Sequence, residues 1–496
     1  MSKKILVVEA MSSAFNFLED IRNRGYEPVI VEPYIPRGYA RSLMDEERKI
    51  KYARIPYPIR IIKEDPDYRK TLEEIRRMEP FMIIPGGEEG VVLGTRLADS
   101  LGLVGNPYAN IDKMTKKSVM QESLKAAGLR HIRGEVVASG EDCIRFLEET
   151  GMEDIVLKHV HGVASVGVHL CHGRDEVLAA FEKESSAENM FGEAENKLMI
   201  QERIFGVEYV VNTVSREGVP ALTSVLKYYK KKTEDGAIIY QGLETVNGLD
   251  EEQEALVEYA FAVVKALGIV NGPVHGEYMV DEHGPVLIEA NCRVMGGSVP
   301  PDYMDKIFGH HETDIVLDSM LSAGFHRAFR EKRYRPLRKG FVKDFSSANS
   351  KHVTHSGIIP IVLNLESYHS GWLENAGKVS VIGKTIDLET ETGCVYLLHE
   401  NADIVKSEFE MLNLIEDKFP ELFYSDKPLF KGVPDFDMDT EYALSKMISY
   451  YRNGCRGTPV IPQSVIDADP YNRRIVEVIR NLAQVHQTVA EKTKTT

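Results

Sequence analysis

Short, uniformly apolar runs punctuate the first 110 residues. Ile5-Leu6-Val7-Val8, Pro28-Val29-Ile30-Val31 and Phe81-Met82-Ile83-Ile84 are strand-sized, and helix-like spacings separate them. That alternation predicts a small parallel α/β domain with strands buried on both faces. Pro85-Gly86-Gly87 reads as the turn after the third run, and residues 91–101 as a helix stopped by Gly102. No GxGxxG follows the first strand, which argues against a dinucleotide site there.

The pattern changes near residue 111. Thr115 stands where it could cap a helix whose apolar positions Val119, Leu124 and Ala127 run to Gly128. IVLK (155–158) and LMIQ (198–201) predict strands, and the first leads into a loop of small residues, HVHGVASVGV. Leu256, Ala260, Val263 and Leu267 form one stripe of an amphipathic helix over residues 252–267, with Gly268 beyond it. Farther on, the runs 358–363, 379–382 and 394–398 predict strands, and residues 430–496 read as helical and polar. Between them Arg327, Arg330, Lys332, Arg333, Arg335, Arg338 and Lys339 make a basic stretch, read as a solvated helix and linker. The expected division is an N-terminal α/β domain at 1–110, a second domain at 111–325, an α+β lobe at 326–430 and a helical extension at 431–496.

Composition narrows the class. A formal charge of −16 over 496 residues argues against general binding to nucleic acid or to an anionic membrane surface. Cys143, Cys171, Cys292, Cys394 and Cys455 show neither CxxC nor metal-ligand spacing, the usage of a reduced cytoplasmic protein. MSKKILVVEA has no signal-peptide organisation, and no apolar run reaches the ~18 residues of a membrane span. A soluble, cytoplasmic chain is expected.

The densest chemistry lies at residues 274–297, VHGEYMVDEHGPVLIEANCRVMGG. Two short apolar runs flank Asp281-Glu282-His283-Gly284, the signature of a β-hairpin. A three-residue loop closed by Gly284 would set Glu277 opposite Glu289 and His275 opposite Asn291. Alternation would then turn all four side chains to one face. Two carboxylates and an amide oxygen make a hard oxygen site suited to Mg²⁺. Arg293, two residues on, could meet a phosphate bidentately. Taken alone, the same hairpin could equally be a solvated one.

Four further segments stand in the order of a known family, and with them the chain resembles the ATP-grasp superfamily over roughly residues 1–325. Lys117 in KSVMQESLKAAG and Lys158 at the end of IVLK match lysines that reach the ATP phosphates, although Lys113 or Lys116 could be mistaken for the first. HGVASVG (161–167) matches the loop that covers the phosphates, with Ser165 and Gly167 as its candidate contacts, but is poorer in glycine than many. QERIFGVE (201–208) matches the segment that reads the base and ribose. The resemblance implies Gln201 and the Ile204 backbone at the adenine edge, Glu208 at the ribose hydroxyls, and Glu202 among the cofactor-binding residues. It also implies an ATP-grasp fold behind a pre-ATP-grasp domain, ATP as substrate, and Mg²⁺ (two ions, Mn²⁺ a substitute) on Glu277, Glu289 and Asn291.

NCRVMGG (291–297) is similar to the N-x-R-x-x-G-G pattern of the bacterial L-amino-acid ligases. That branch implies a carboxylate–amine ligase. It implies that a small carboxylate, an amino acid, is activated as an acyl phosphate and joined to an amine, that of a second amino acid, with a homodimer as the expected assembly. Arg293, Lys158 and His275 are its candidate catalytic residues. Two alternatives stand beside it: acyl transfer to a carrier-protein thiol or to a non-amino-acid amine, and a non-catalytic ATP-binding module.

Overall fold

The structure is a computed structural model and describes residues 3–34, 48–160, 167–186, 197–233, 238–349, 351–353, 358–363, 365–373, 380–386, 390–418, 463–470, 472–474, 476–477 and 480. The chain divides into two compact units, Met1–Lys227 with Gly248–Pro336 and Tyr228–Asn247 with Leu337–Thr496. Among the described residues no helix is long and apolar enough to cross a membrane.

Unit 1 opens with a parallel sheet of β1 (Lys4–Val8), β2 (Glu27–Glu32), β3 (Arg60–Lys63) and β4 (Met82–Pro85), in the order β3-β2-β1-β4. The three apolar runs are β1, β2 and β4. Strand β3 escapes the hydrophobic pattern because it is an edge strand with only Ile62 buried. The helix Gly90–Ser100 follows β4, and Gly102 stands beyond it at φ +64°.

A second, antiparallel sheet joins β5 (Gly134–Val137), β6 (Asp154–His159), β7 (His169–His172) and β8 (Leu198–Glu202) in the order β5-β8-β6-β7. Ile155, Leu157, Cys171 and Ile200 face helices Gly140–Thr150 and Gly173–Ser186, where Cys143, Phe146 and Val177 complete one core. Alternation therefore turns Val156 and Lys158 to the opposite face.

The third sheet is antiparallel. Its strands in unit 1 are β9 (Val207–Arg216) and β10 (Val219–Lys232), whose last residues enter unit 2, and, after β11 (Ile238–Thr245) of unit 2, β12 (Gly272–Asp281) and β13 (Gly284–Asn291). They run β13-β12-β9-β10. The helix Glu251–Ala266 buries Leu256, Ala260 and Val263, with Leu267 just beyond, as its stripe predicts.

In unit 2, β11 pairs with β14 (Lys339–Phe345). Lys351–Val353 (β15), Tyr368–Leu373 (β16), Ser380–Ile382 (β17) and Gly393–His399 (β18) follow, with β14 and β16 flanking β18. The run 358–363, expected as a strand, is a helix, Ile358–Leu363. A short uniformly apolar run has no period to choose between the two, and here Ile361 and Val362 are buried while Leu363 is exposed. Of the C-terminal extension, Gln463–Ala468 is helical and residues 419–462 lie outside the described residues.

Candidate active site

The hairpin sets the register. His275 pairs with Asn291 and Glu277 with Glu289, so the four side chains share one face, as the sequence led us to expect. The route to that register differs from the expectation. Asp281 pairs directly with Gly284, leaving a two-residue loop, and a bulge between Glu277 and Tyr278 restores the offset. Gly284 takes φ +94°, a conformation open to glycine. On β9 the same face carries Glu208, Val210 and Asn212, paired with Met279, Glu277 and His275.

The amide of Asn212 donates through Nδ2 to Ser224 Oγ at 2.9 Å, which turns its Oδ1 to His275 Nδ1, also at 2.9 Å. The ring is thereby aimed so that Nε2 stands 3.4 Å from Glu277 Oε1. Asn291 Nδ2 donates to Glu289 Oε1 at 3.0 Å, leaving its amide oxygen for another partner. Lys117 Nζ lies 2.7 Å from Glu289 Oε2. It comes from the first turn of helix Lys117–Ala126, whose cap position is Lys116. Thr115 does not cap that helix; its hydroxyl donates to Ile111 O inside the preceding short helix. The buried stripe is Met120, Gln121 and Leu124 rather than Val119 and Ala127, because Gln121 reaches Leu287 O and the Ile132 N–H.

Lys158 faces the same cluster from β6 and is 6% exposed. Burial, and then the nearby Lys117 ammonium, push its pKa down to about 8, against the pull of Glu289, Glu277 and Glu208. Burial would also lower Lys117, but Glu289 outweighs it and the ammonium is held above its ordinary value. Burial raises Glu289, and Lys117, Asn291 and Lys158 more than reverse that, so it stays ionised. Oxygens of Glu277, Glu289 and Asn291 on one face, with lysines already compensating the charge, fit a divalent cation and the phosphates it accompanies.

Arg293 is held through Nε by Glu88 Oε2 at 3.0 Å and through Nη1 by Val294 O. Burial works against its charge, but Glu88, Glu289 and Glu277 outweigh burial and raise its pKa. The following turn is fixed by Glu312, which accepts from Met295 N at 2.9 Å, and by Ser13, which donates to Gly296 O at 3.0 Å.

The other expected residues are distributed unevenly. Gln201 is buried on the same face of its sheet as Lys158, since Val156 pairs with Gln201 and Lys158 with Met199. Ile204 is half-buried in the turn between β8 and β9. Glu202 is turned aside, its carboxylate accepting from Arg133 N at 2.8 Å, a strand-end contact. Gly167 takes φ +68°, and Ser165 lies outside the described residues. Glu88 and Asn212 were missed by sequence reasoning. The signal for Glu88 was present in PGGEEG, where only the turn was read. A cavity of about 620 Å³ lies elsewhere in unit 1, lined by Leu222, Phe261, Phe308 and Tyr334 and by none of these residues.

Residues 152–302 match the ATP-grasp domain. Dapdiamide A synthase of Enterobacter agglomerans is 25% identical over 431 residues, covering 84% of this chain and 97% of that protein. The crystal structure of L-amino acid ligase from Bacillus licheniformis superposes with a TM-score of 0.64 at 18% identity, over 83% of this chain and 97% of the other. Phosphoribosylglycinamide synthetase from Anaerococcus prevotii shares the fold at a TM-score of 0.57 and 14% identity, over 84% and 98%. The matched domain, the aligned relative and the shared fold together show that residues 152–302 are an ATP-grasp domain and that the chain resembles ligases of the L-amino-acid ligase branch.

Proposed function

We propose that the protein activates a small carboxylate, an amino acid, as an acyl phosphate at the expense of ATP and joins it to the amine of a second small molecule. The observation that carries this reading is the convergence of Lys117, Lys158, Glu277, Glu289, Asn291 and Arg293 in one cluster, with His275 oriented into it. A binding-only module needs no such complete set.

The chemistry follows from charge. An amine does not attack a carboxylate, because the anion repels the nucleophile and offers no leaving group. Transfer of the γ-phosphoryl to a carboxylate oxygen breaks its bond to the β-phosphate oxygen and releases ADP. The amine then adds to the acyl carbon, inorganic phosphate leaves, and the nitrogen loses its proton. Little covalent work falls to the protein, so positioning and charge compensation dominate.

In this reading Lys158 and Lys117 neutralise phosphate oxygens, and Lys117 exchanges Glu289 for them. Glu277, Glu289 and Asn291 would hold Mg²⁺, which when bound neutralises phosphate charge. Arg293, prealigned by Glu88, stabilises the acyl phosphate and the tetrahedral species after it. Asn212 keeps the His275 ring facing Glu277. Gln201 and the Ile204 backbone meet the base, and Glu208 the ribose. Glu202 stands at the end of the same strand as Gln201, its Oε1 accepting from Arg133 N.

The test is ADP formation with Mg²⁺ over amino acids offered singly and in pairs, with mass spectrometry of the products. ADP and phosphate appearing only with a particular pair, alongside the condensed product, is the expected result. ATP binding without turnover on any pair would reject the amino-acid reading.

A further inference from the structure

Helix Gly173–Ser186 buries Val177, Ala180 and Glu184 along one stripe, so a carboxylate occupies a position where the spacing calls for an apolar side chain. Burying an ionised carboxylate is costly unless it is paired. Two histidines pair with Glu184. Its Oε2 lies 2.9 Å from His159 Nε2 and its Oε1 2.6 Å from His169 Nε2. The bond to His159, then that to His169, hold the carboxyl well below the usual range against the effect of burial.

The placement of the two histidines gives the pairing its interest. His159 is the last residue of β6 and His169 the first of β7. One side chain thus spans the two strand ends between which residues 160–168 run. Lys158 immediately precedes His159 and points to the opposite face of the sheet, toward the phosphate cluster. Among the described residues His159 Nδ1 has no hydrogen-bond partner, so the Glu184 bond is what orients this nearly buried ring. Gly167 packs against the pair, and a Cβ there would come within 2.5 Å of His159 Cδ2 and 3.0 Å of Glu184 Oε2.

We propose that Glu184 is a positioning residue for nucleotide binding. By fixing His159 and His169 it sets the end of β6, and with it the place from which the Lys158 ammonium meets the phosphates. The inference rests on the reading of Lys158 as a phosphate ligand. A displacement of about 1 Å in such a group is enough to matter. An ion pair serving stability alone would leave the affinity of the folded protein for nucleotide unchanged.

The experiment titrates the full chain with MgADP and follows thermal unfolding, for wild type, Lys158→Ala, Glu184→Ala and the double variant. Glu184→Ala is expected to bind MgADP about tenfold more weakly, the loss of one charge-assisted contact. Acting through Lys158, it should add little to the loss already caused by Lys158→Ala. Wild-type affinity in a folded Glu184→Ala, or fully additive losses, overturns the proposal. Should Glu184→Ala fail to fold, Glu184→Asp serves instead, being too short to reach both histidines, and unaltered affinity there overturns it equally. Unchanged affinity in Lys158→Ala would remove the phosphate reading itself, whereas weakened Lys158→Ala beside unaffected Glu184 variants removes only this inference.

Discussion

Lys158 should make the protein less stable and the nucleotide bind tighter, and replacing it with methionine should reverse both. Its ammonium is buried at the end of a strand, and burial together with the Lys117 charge lowers its pKa from 10.5 to about 8. In the unfolded chain the side chain returns to its ordinary value. Between pH 8 and 10.5 the unfolded state therefore holds the additional proton, and stability rises with pH across that window. Below pH 8 the penalty is present in full, about 3 kcal/mol at ~1.4 kcal/mol for each tenfold change in proton affinity. Methionine keeps the volume and removes the charge. It also takes a counter-charge from Glu289, Glu277 and Glu208, so the net gain at pH 7 is expected at about 1–3 kcal/mol. Denaturant unfolding at pH 7 and pH 9.5 measures it, and the difference from wild type should shrink at the higher pH. MgADP titration of the same variant should show affinity at least about tenfold weaker, the scale of one lost charge-assisted contact. A Lys158→Met protein that is less stable at pH 7, or that binds MgADP as well as wild type, would refute the reasoning.

Three further outcomes are expected. Glu289→Ala should abolish ADP formation while circular dichroism stays unchanged, and should cost about 1–3 kcal/mol of stability because the Lys117 ammonium loses its partner at 2.7 Å; turnover near wild type would remove Glu289 from the metal set. Arg293→Lys keeps the charge but loses the planar fork, so ADP formation should fall about a hundredfold with ATP affinity nearly unaltered; a loss confined to the KM for ATP would place Arg293 at the nucleotide instead. Burial disfavours the charged form of His311, but Asp20 and Asp305 outweigh it and raise the pKa to about 9, so its stabilising contribution is whole below pH 6.5 and fades as pH rises through 9; His311→Ala should flatten the pH dependence of unfolding between pH 6.5 and 9.5, and an unchanged slope would deny the pairing.

Much of the site was legible in one dimension because its information is local. Side-chain alternation is a property of any strand, so the spacing of His275, Glu277, Glu289 and Asn291 needed only a hairpin to bring them to one face. Lys158 announced itself by ending an apolar run, and Gly102 and Gly268 by standing just beyond helical stripes. Where locality failed, the cause can be named. The apolar run 358–363 has no period and became a helix. Thr115, a good capping residue, lies one position before the cap and ends a second short helix instead. Strand β3 buries a single residue and left no trace in the hydropathy.

The sequence by itself determined the alternating α/β start, the hairpin and its shared face, and the acidic, lysine-bearing chemistry that points to ATP. Tertiary structure alone decided the partners. Glu88 reaches Arg293 across 205 residues, Asn212 aims His275 across 63, and Glu184 joins two strand ends from a helix stripe that looks ordinary on paper. It also assigned Tyr228–Asn247 to the compact unit of the C-terminal residues, and replaced the expected three-residue loop by a tighter turn and a bulge. The reason is one of range. Turn chemistry and side-chain period act over a few residues and are written in order along the chain. Burial and ion pairing act through space, and their partners exist only once distant segments have been folded into contact.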